Sequence, residues 1–148
     1  MKYLTIEGQK KIKEELAYLT KKKRVELSKQ LKFATSLGDL RENSEYDAVC
    51  EDFIQTENRI YELEKQLTES KIYKQKNTNT VEIGSKVTIE IDKELETYEI
   101  VGLNESDILN NKISYESPLG ASLLNKKTND IVTVDIINPY NVKIIEIN

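Results

Sequence analysis

The sequence has no histidine and a single cysteine, Cys50, among its 148 residues. A disulfide within the chain is therefore impossible, and zinc sites built from cysteine and histidine are excluded. The lack of histidine also excludes imidazole as a general base. Glycine-rich phosphate loops and Ser/His/Asp arrangements are absent too. The sequence therefore contains none of the common self-contained active sites.

Long hydrophobic runs are missing as well. No segment approaches the roughly 20 apolar residues of a membrane span, and the first nine residues lack the hydrophobic core of a signal peptide. We therefore expect a cytoplasmic protein without membrane association. An apolar fraction of 38% with a charged fraction of 32% predicts folded domains with long solvated helices rather than disorder.

Charge is distributed unevenly along the chain. Residues 1–78 contain 16 basic and 14 acidic residues, whereas residues 79–148 contain 6 basic and 12 acidic residues. The first half includes a basic cluster formed by Lys21, Lys22, Lys23 and Arg24. Such a cluster could bind phosphates, although composition alone favours an ordinary solvated helix face.

The first long helix is predicted to begin between Thr5 and Gln9, with Thr5 as its N-cap. After Gly8, no proline or glycine occurs until Gly38, which allows about 30 helical residues, or about 45 Å. Its apolar stripe slips once in spacing, near Lys23, in the manner of a coiled-coil stutter. The stripe consists of Ile12, Leu16, Leu19, Lys23, Leu27, Leu31 and Ala34.

A second helix carries a regular stripe with alternating spacings of three and four residues. The stripe consists of Tyr46, Val49, Phe53, Thr56, Ile60, Leu63, Leu67 and Ser70. Because the two stripes are joined by a short connection at Gly38, we predict an antiparallel coiled-coil hairpin. The alternative is that each stripe packs against a separate partner chain, which the short connection disfavours.

The remainder of the chain predicts a small α+β domain, so the fold class is α+β with two domains. We place the hairpin at residues 1–76, a linker at 77–80 and the second domain at 81–148, because helical periodicity is lost between Lys74 and Thr80. Period-two patterns predict strands around 81–91, 98–103, 131–137 and 142–147. Ser117 is a candidate N-cap for a short helix over 118–124, and residues 138–141 predict a hairpin turn.

An acidic stretch lies between the two long helices, at Gly38–Tyr46. Asp39 and Glu42 are three residues apart, so their carboxylates can point the same way at the start of a helix. Two carboxylates could bind Mg²⁺ only with ligands from another molecule. The alternative is a capping box, with Asp39 at the N-cap and Glu42 at the third helical position.

The Gly38–Tyr46 stretch resembles the tip signature of the bacterial GreA/GreB transcript cleavage factors. Other segments resemble the family in the same order along the chain: Leu4–Gly8, Glu57–Ile60 and Ser117–Leu124. The resemblance therefore covers nearly the whole sequence. Its GreA branch is the closer match, because the basic surface is modest.

This resemblance implies an N-terminal coiled-coil hairpin, with its tip at 38–43, and an FKBP-like C-terminal domain. It implies an accessory factor rather than an enzyme, which enters the secondary channel of RNA polymerase. There it stimulates cleavage of the 3′ RNA in backtracked complexes. Asp39 and Glu42 would be catalytic residues lent to the polymerase, holding a shared Mg²⁺. We expect no cofactor on the isolated protein, no small-molecule substrate and a monomeric state.

The resemblance assigns roles to further residues. Lys21, Lys22, Lys23, Arg24 and Arg41 would contact nucleic acid or polymerase, and Ser117, Pro118 and Leu119 would dock on polymerase. Asn125 and Asn129 replace two family glycines, which asparagine can do because it tolerates positive φ.

Two other functions agree less well with the sequence than transcript cleavage. A regulator of the same channel that does not stimulate cleavage is disfavoured by the intact Asp39 and Glu42. A coiled-coil chaperone or adaptor is disfavoured by the acidic tip, because binding of apolar clients needs an apolar surface.

Overall fold

A computed structural model of the chain describes residues 2–38 and 43–148. The helical elements of these residues are α1 Ile6–Tyr18, a π-helical turn Leu19–Lys23, α2 Arg24–Ser36, α3 Ser44–Glu69, a 3₁₀ turn Ile108–Asn110 and α4 Pro118–Leu123. The strands are β1 Lys2–Leu4, β2 Ser70–Ile72, β3 Lys86–Ile91, β4 Glu94–Val101, β5 Lys112–Ser114, β6 Ile131–Val134 and β7 Tyr140–Ile147. Among the described residues, no helix is long and apolar enough to span a bilayer.

Contacts divide the chain into two packing units, which confirms the two-domain α+β organisation. The hairpin unit is Lys10–Glu69, and the sheet unit contains residues 2–9 together with Ser70–Asn148. Residues 2–9 join the sheet unit because β1 pairs in parallel with β2, from Lys2 opposite Ser70 to Leu4 opposite Ile72. This grouping differs from the division at 77–80 that loss of helical periodicity suggested.

The hairpin unit is held by the two predicted stripes. Leu27 and Leu63 are each 1% exposed, and Ala34, Thr56 and Ile60 are also buried. Ion pairs join residue 15 to residue 59 and residue 23 to residue 52, so the two helical arms run antiparallel. The predicted coiled-coil hairpin is therefore confirmed, in agreement with the short connection at Gly38.

The predicted slip of the first stripe has a structural counterpart in the π-helical turn Leu19–Lys23. At its end, the Arg24 amide donates to the Leu19 carbonyl, five residues earlier. A π turn accommodates one extra residue without ending the helix. This extra residue absorbs the irregular spacing, and Ile12 before the turn and Leu27 after it are both buried.

The sheet unit is built on a five-stranded sheet with the order β5-β4-β3-β7-β6. Only β4 and β5 pair in parallel, whereas the other neighbours are antiparallel. The core of this unit is formed by Val81, Val87, Ile89, Ile100, Leu123, Val132, Val134, Val142, Ile144 and Ile147. Because α4 contributes Leu123, the short helix covers the apolar side of the sheet.

The sheet unit confirms some of the sequence predictions and contradicts others. Asn125 and Asn129 adopt φ of 63° and 71°, so both do occupy positive-φ positions. The strand predicted over 131–137 ends at Val134, and the turn lies at 135–139 instead of 138–141. The apolar residues Val81 and Leu103 lie outside strands. Three strands of three residues each, β1, β2 and β5, were not predicted.

The start of α1 is fixed by a carboxylate from a distant part of the sheet unit. As predicted, Thr5 is the N-cap, because its hydroxyl accepts a hydrogen bond from the Gly8 amide at 3.0 Å. The Thr5 amide and hydroxyl both donate to the Glu105 carboxylate, which also accepts from the Gly102 amide at 2.9 Å. A Cβ at Gly8 would overlap this carboxylate, so the close approach requires glycine.

Candidate functional site

The predicted metal-binding residues Asp39 and Glu42, with Arg41, lie outside the described residues. The two residues that flank them are described. Gly38 has φ of +121°, a conformation that favours glycine, and Asn43 immediately precedes α3. The arrangement of the two carboxylates therefore stays a prediction, whereas the two ends of the tip segment 38–43, Gly38 and Asn43, are described.

Asn43, and not Asp39, is the N-cap of α3. Its side-chain oxygen accepts a hydrogen bond from the Tyr46 amide at 3.1 Å, and its carbonyl accepts from the Asp47 amide at 3.1 Å. The alternative of a capping box formed by Asp39 and Glu42 lies outside the described residues, whereas the described start of α3 is at Ser44. Consequently, the cap of this helix requires neither Asp39 nor Glu42.

The side-chain amide of Asn43 also reaches the first arm of the hairpin. Its nitrogen donates to the Ala34 carbonyl in the last turn of α2 at 2.6 Å. Sequence reasoning missed this residue as a functional candidate. The available signal was its position, since an asparagine directly before a helical stripe is a strong N-cap, but the bond to Ala34 depends on tertiary structure.

The first turn of α3 presents further acidic side chains. Glu45 and Asp47 lie in this turn and are exposed, where the helix dipole stabilises negative charge. One turn further, a hydrogen bond with Cys50 raises the pKa of the Tyr46 phenol above its ordinary value. Within the described residues, no group of three or more acidic or cysteine side chains could hold a metal ion.

The basic cluster divides into two kinds of residue. Lys23 lies 3.2 Å from an Asp52 carboxylate oxygen, and Arg24 forms two hydrogen bonds with the Glu57 carboxylate, at 2.7 and 2.9 Å. The bond to Glu57 raises the pKa of Arg24 above its ordinary value. These two residues therefore connect the hairpin arms.

The other two cluster residues face solvent. Lys21 and Lys22 are exposed and belong to the π-helical turn. They are the better placed members of the cluster for contacts with a polymerase or a nucleic acid. That role, like the role of Arg41, stays a prediction.

The Ser117–Leu119 segment forms the start of α4 in the sheet unit. The Ser117 hydroxyl accepts from the Gly120 amide at 3.1 Å and donates to the Ser114 carbonyl at 2.6 Å, which confirms the predicted N-cap. Pro118 occupies the start of the helix and is exposed, whereas Leu119 is partly buried against the core. Docking on polymerase remains a prediction for the segment, and of its residues Pro118 is the most accessible.

An exposed apolar pair in the sheet unit was not anticipated from the sequence. Ile108 and Leu109, in the 3₁₀ turn, are 84% and 96% exposed. Beside them, hydrogen bonds from Asn110 lower the pKa of Asp107. The period-two search for strands could not detect this pair, because it lies in an irregular connection between β4 and β5.

Comparison with known proteins covers both packing units. Residues 2–72 match the family model for the N-terminal part of the transcription elongation factors, and residues 75–148 match the model for the C-terminal part of GreA/GreB. The chain belongs to the GreA/GreB family of transcription elongation factors. Membership makes it an accessory transcription factor and not itself an enzyme.

Individual GreA proteins are similar in sequence to this chain over nearly its full length. Transcription elongation factor GreA of Halalkalibacterium halodurans is 43% identical over 150 residues, which covers 98% of this chain and 95% of the relative. GreA of Clostridium beijerinckii is 43% identical over 143 residues, covering 93% and 89%. Among solved structures, the GreA factor homolog 1 protein of Thermus thermophilus is 24% identical, with 99% and 97% coverage and a TM-score of 0.46.

Proposed function

We propose that this elongation factor binds RNA polymerase and stimulates cleavage of the 3′ RNA in backtracked complexes, so that elongation resumes. The observation that carries the proposal is full-length family membership, with both the N-terminal and the C-terminal models matched. The family's tip signature at Gly38–Tyr46 supports cleavage rather than simple binding. A protein with this role would act in the cytoplasm.

The chemistry assigned to the tip requires a second protein. Asp39 and Glu42 would hold an Mg²⁺ together with ligands from the polymerase, since magnesium usually binds one or two carboxylates along with water and phosphate. The ion would supply Lewis-acid stabilisation of the displacement at phosphorus. Hard carboxylate oxygens suit this ion, and the cap made by Asn43 leaves both acidic residues unnecessary for starting α3.

Contacts outside the tip would be shared between the two units. Lys21 and Lys22 are exposed on the hairpin arm and would face negatively charged groups of the complex. Pro118 is exposed at the start of α4 and would contribute to docking with Leu119 and Ser117. The nascent RNA 3′ end would lie near the tip.

The proposal is tested with a backtracked polymerase complex supplied with Mg²⁺. The parent protein should release short 3′ RNA fragments. Asp39→Ala and Glu42→Ala should each lower the release rate by about 10-fold to 100-fold, the loss typical of removing support from a metal site. Binding to the polymerase, measured separately, should be unchanged.

Glu45→Ala and Asp47→Ala provide matched controls, because they remove the same charge from exposed positions in the first turn of α3. Both should cleave at nearly the parent rate. If Asp39→Ala and Glu42→Ala cleave as fast as these controls, the role of the tip is wrong. If the parent binds and slows the polymerase without releasing RNA, it is a regulator of the non-cleaving kind.

A further inference from the structure

Asn43 is bonded to both arms of the hairpin at once. Its side-chain nitrogen donates to the Ala34 carbonyl of α2 at 2.6 Å, while its side-chain oxygen accepts from the Tyr46 amide of α3 at 3.1 Å. Ala34 is fully buried, and its carbonyl also accepts from the Leu37 amide at 3.2 Å. A single side chain therefore hydrogen-bonds both the last turn of α2 and the first turn of α3.

Both functional groups of the asparagine amide are required for this arrangement. Serine or aspartate would be an equally acceptable N-cap, because capping needs only a side-chain oxygen. Aspartate has no donor. The serine hydroxyl can donate while it accepts, but it lies at about the position of the asparagine Cγ, one bond short of the amide nitrogen that reaches the Ala34 carbonyl. A role limited to capping would therefore not distinguish asparagine from serine.

We propose that Asn43 is a positioning residue that fixes the ends of the tip segment, and thereby the placement of the tip carboxylates. Along the chain only residues 39–42 separate Gly38 from Asn43, so the two helix ends that Asn43 joins are the immediate supports of Asp39 and Glu42. For its effect on catalysis, the inference rests on the proposed cleavage function. A displacement of about 1 Å in a catalytic group can cost on the order of 100-fold in rate.

The first experiment uses the free protein and does not depend on cleavage. Nitroxide labels are placed at Lys32→Cys and Glu45→Cys, two exposed positions on opposite arms, in a Cys50→Ser background. Asn43→Ser should broaden the distribution of label separations in frozen solution, because the bond to Ala34 is lost while the cap is kept. Asn58→Ser, a matched change at an exposed position of α3, should leave the distribution unchanged.

The second experiment measures RNA release at saturating factor. Asn43→Ser should lower the maximal rate by about tenfold, with the factor concentration for half-maximal rate unchanged. Thermal unfolding followed by circular dichroism should remain close to that of the parent, since serine retains the cap. A purely structural role predicts the reverse pattern, a normal rate for Asn43→Ser and a loss only for Asn43→Ala.

The outcomes separate the inference from the function on which it rests. If Asn43→Ser and the parent have the same label distribution, the inference is wrong whatever the cleavage result. If the distribution broadens but the maximal rate is that of the Asn58→Ser control, the positioning role is also wrong. If the parent releases no RNA, the proposed function fails, and the label distributions alone decide whether Asn43 holds the two arms.

Discussion

The hairpin unit and the sheet unit bury their apolar residues in different ways. The sheet unit concentrates ten buried aliphatic residues in one cluster on one side of a five-stranded sheet. In the hairpin unit, buried residues such as Leu27, Ala34 and Leu63 form a single line between two arms. Two helices cannot enclose a core, so apolar side chains remain on the outer faces, including Phe33 at 59% and Tyr61 at 66% exposure.

This difference explains the role of the ion pairs between the two arms of the hairpin unit. Ladder hydrogen bonds and core packing fix the register of the sheet. The hairpin has no ladder, and pairs of charged residues connect its arms at intervals instead: Glu15 with Arg59, Lys23 with Asp52, and Arg24 with Glu57. Exposed ion pairs contribute little stability, so their main effect here is to favour one alignment of the arms.

The largest expected effect comes from making the same truncation in both units. Leu123 and Leu27 are 0% and 1% exposed, and leucine-to-alanine changes at buried sites cost about 2–5 kcal/mol. Leu123→Ala should fall near the upper end of that range, because a cavity within the sheet cluster has neighbours on all sides. Leu27→Ala should fall near the lower end, because two arms can close around a gap.

Amide hydrogen exchange within each unit measures these costs separately. Leu109→Ala, at a position 96% exposed, is the control and should change the free energy of opening by less than about 0.5 kcal/mol. A larger loss for Leu27→Ala than for Leu123→Ala would contradict the comparison between the units.

A smaller change in the free energy of unfolding is expected from disrupting the polar contact that fixes the start of α1. Gly8→Ala should destabilise the sheet unit by about 1–3 kcal/mol, because the new methyl group displaces the Glu105 carboxylate from the Thr5 and Gly102 amides. The better helix propensity of alanine would offset at most about 1 kcal/mol of this loss of stability. Urea unfolding of Gly8→Ala and of the parent measures this loss.

A double-mutant cycle isolates this mechanism. Glu105→Ala should destabilise the parent but should add almost nothing to Gly8→Ala, since the carboxylate bonds are already broken there. Additive losses would show that the Gly8 substitution acts in some other way. A stabilising Gly8→Ala would mean that the carboxylate moves aside without losing its partners.

Local chemistry made much of this fold predictable. The uninterrupted helix formers before Gly38, the stutter near Lys23 and the Ser117-Pro118 helix start depend on neighbouring residues only. Each was identified from spacing or capping rules. The positive φ of Asn125 was expected from the family resemblance, which places a glycine there, and asparagine tolerates that conformation.

The features that were missed depend on residues far apart in the sequence. The strands β1 and β2 have three residues each and pair across nearly 70 positions, so neither has a periodicity to detect. The tip segment contains several acceptable N-caps, and the bond from Asn43 to Ala34 selects one of them. Asp39 and Glu42 were singled out by spacing, but spacing could not separate capping from metal binding, and the family resemblance favoured the metal.

The smallest change in stability is expected from the hydrogen bond between Tyr98 and Glu96 in β4. The Tyr98 hydroxyl donates to Glu96, which, with partial burial, raises the Tyr98 pKa from 10.0 to about 12. Below pH 10 the phenol is protonated in both folded and unfolded chains, so the contribution of this bond to stability is fully present. As the pH rises from about 10 to about 12, the unfolded chain loses this proton first, and the contribution disappears.

The Tyr98 titration can be isolated by subtracting the 295 nm absorbance curve of Tyr98→Phe from that of the parent. The difference should have its midpoint near pH 12, and Glu96→Gln should move it back toward 10, because a neutral amide holds the phenol proton less strongly. Tyr98→Phe should also reduce the loss of stability between pH 10 and 12. A midpoint near 10 in the parent would show that the contact with Glu96 does not persist in solution.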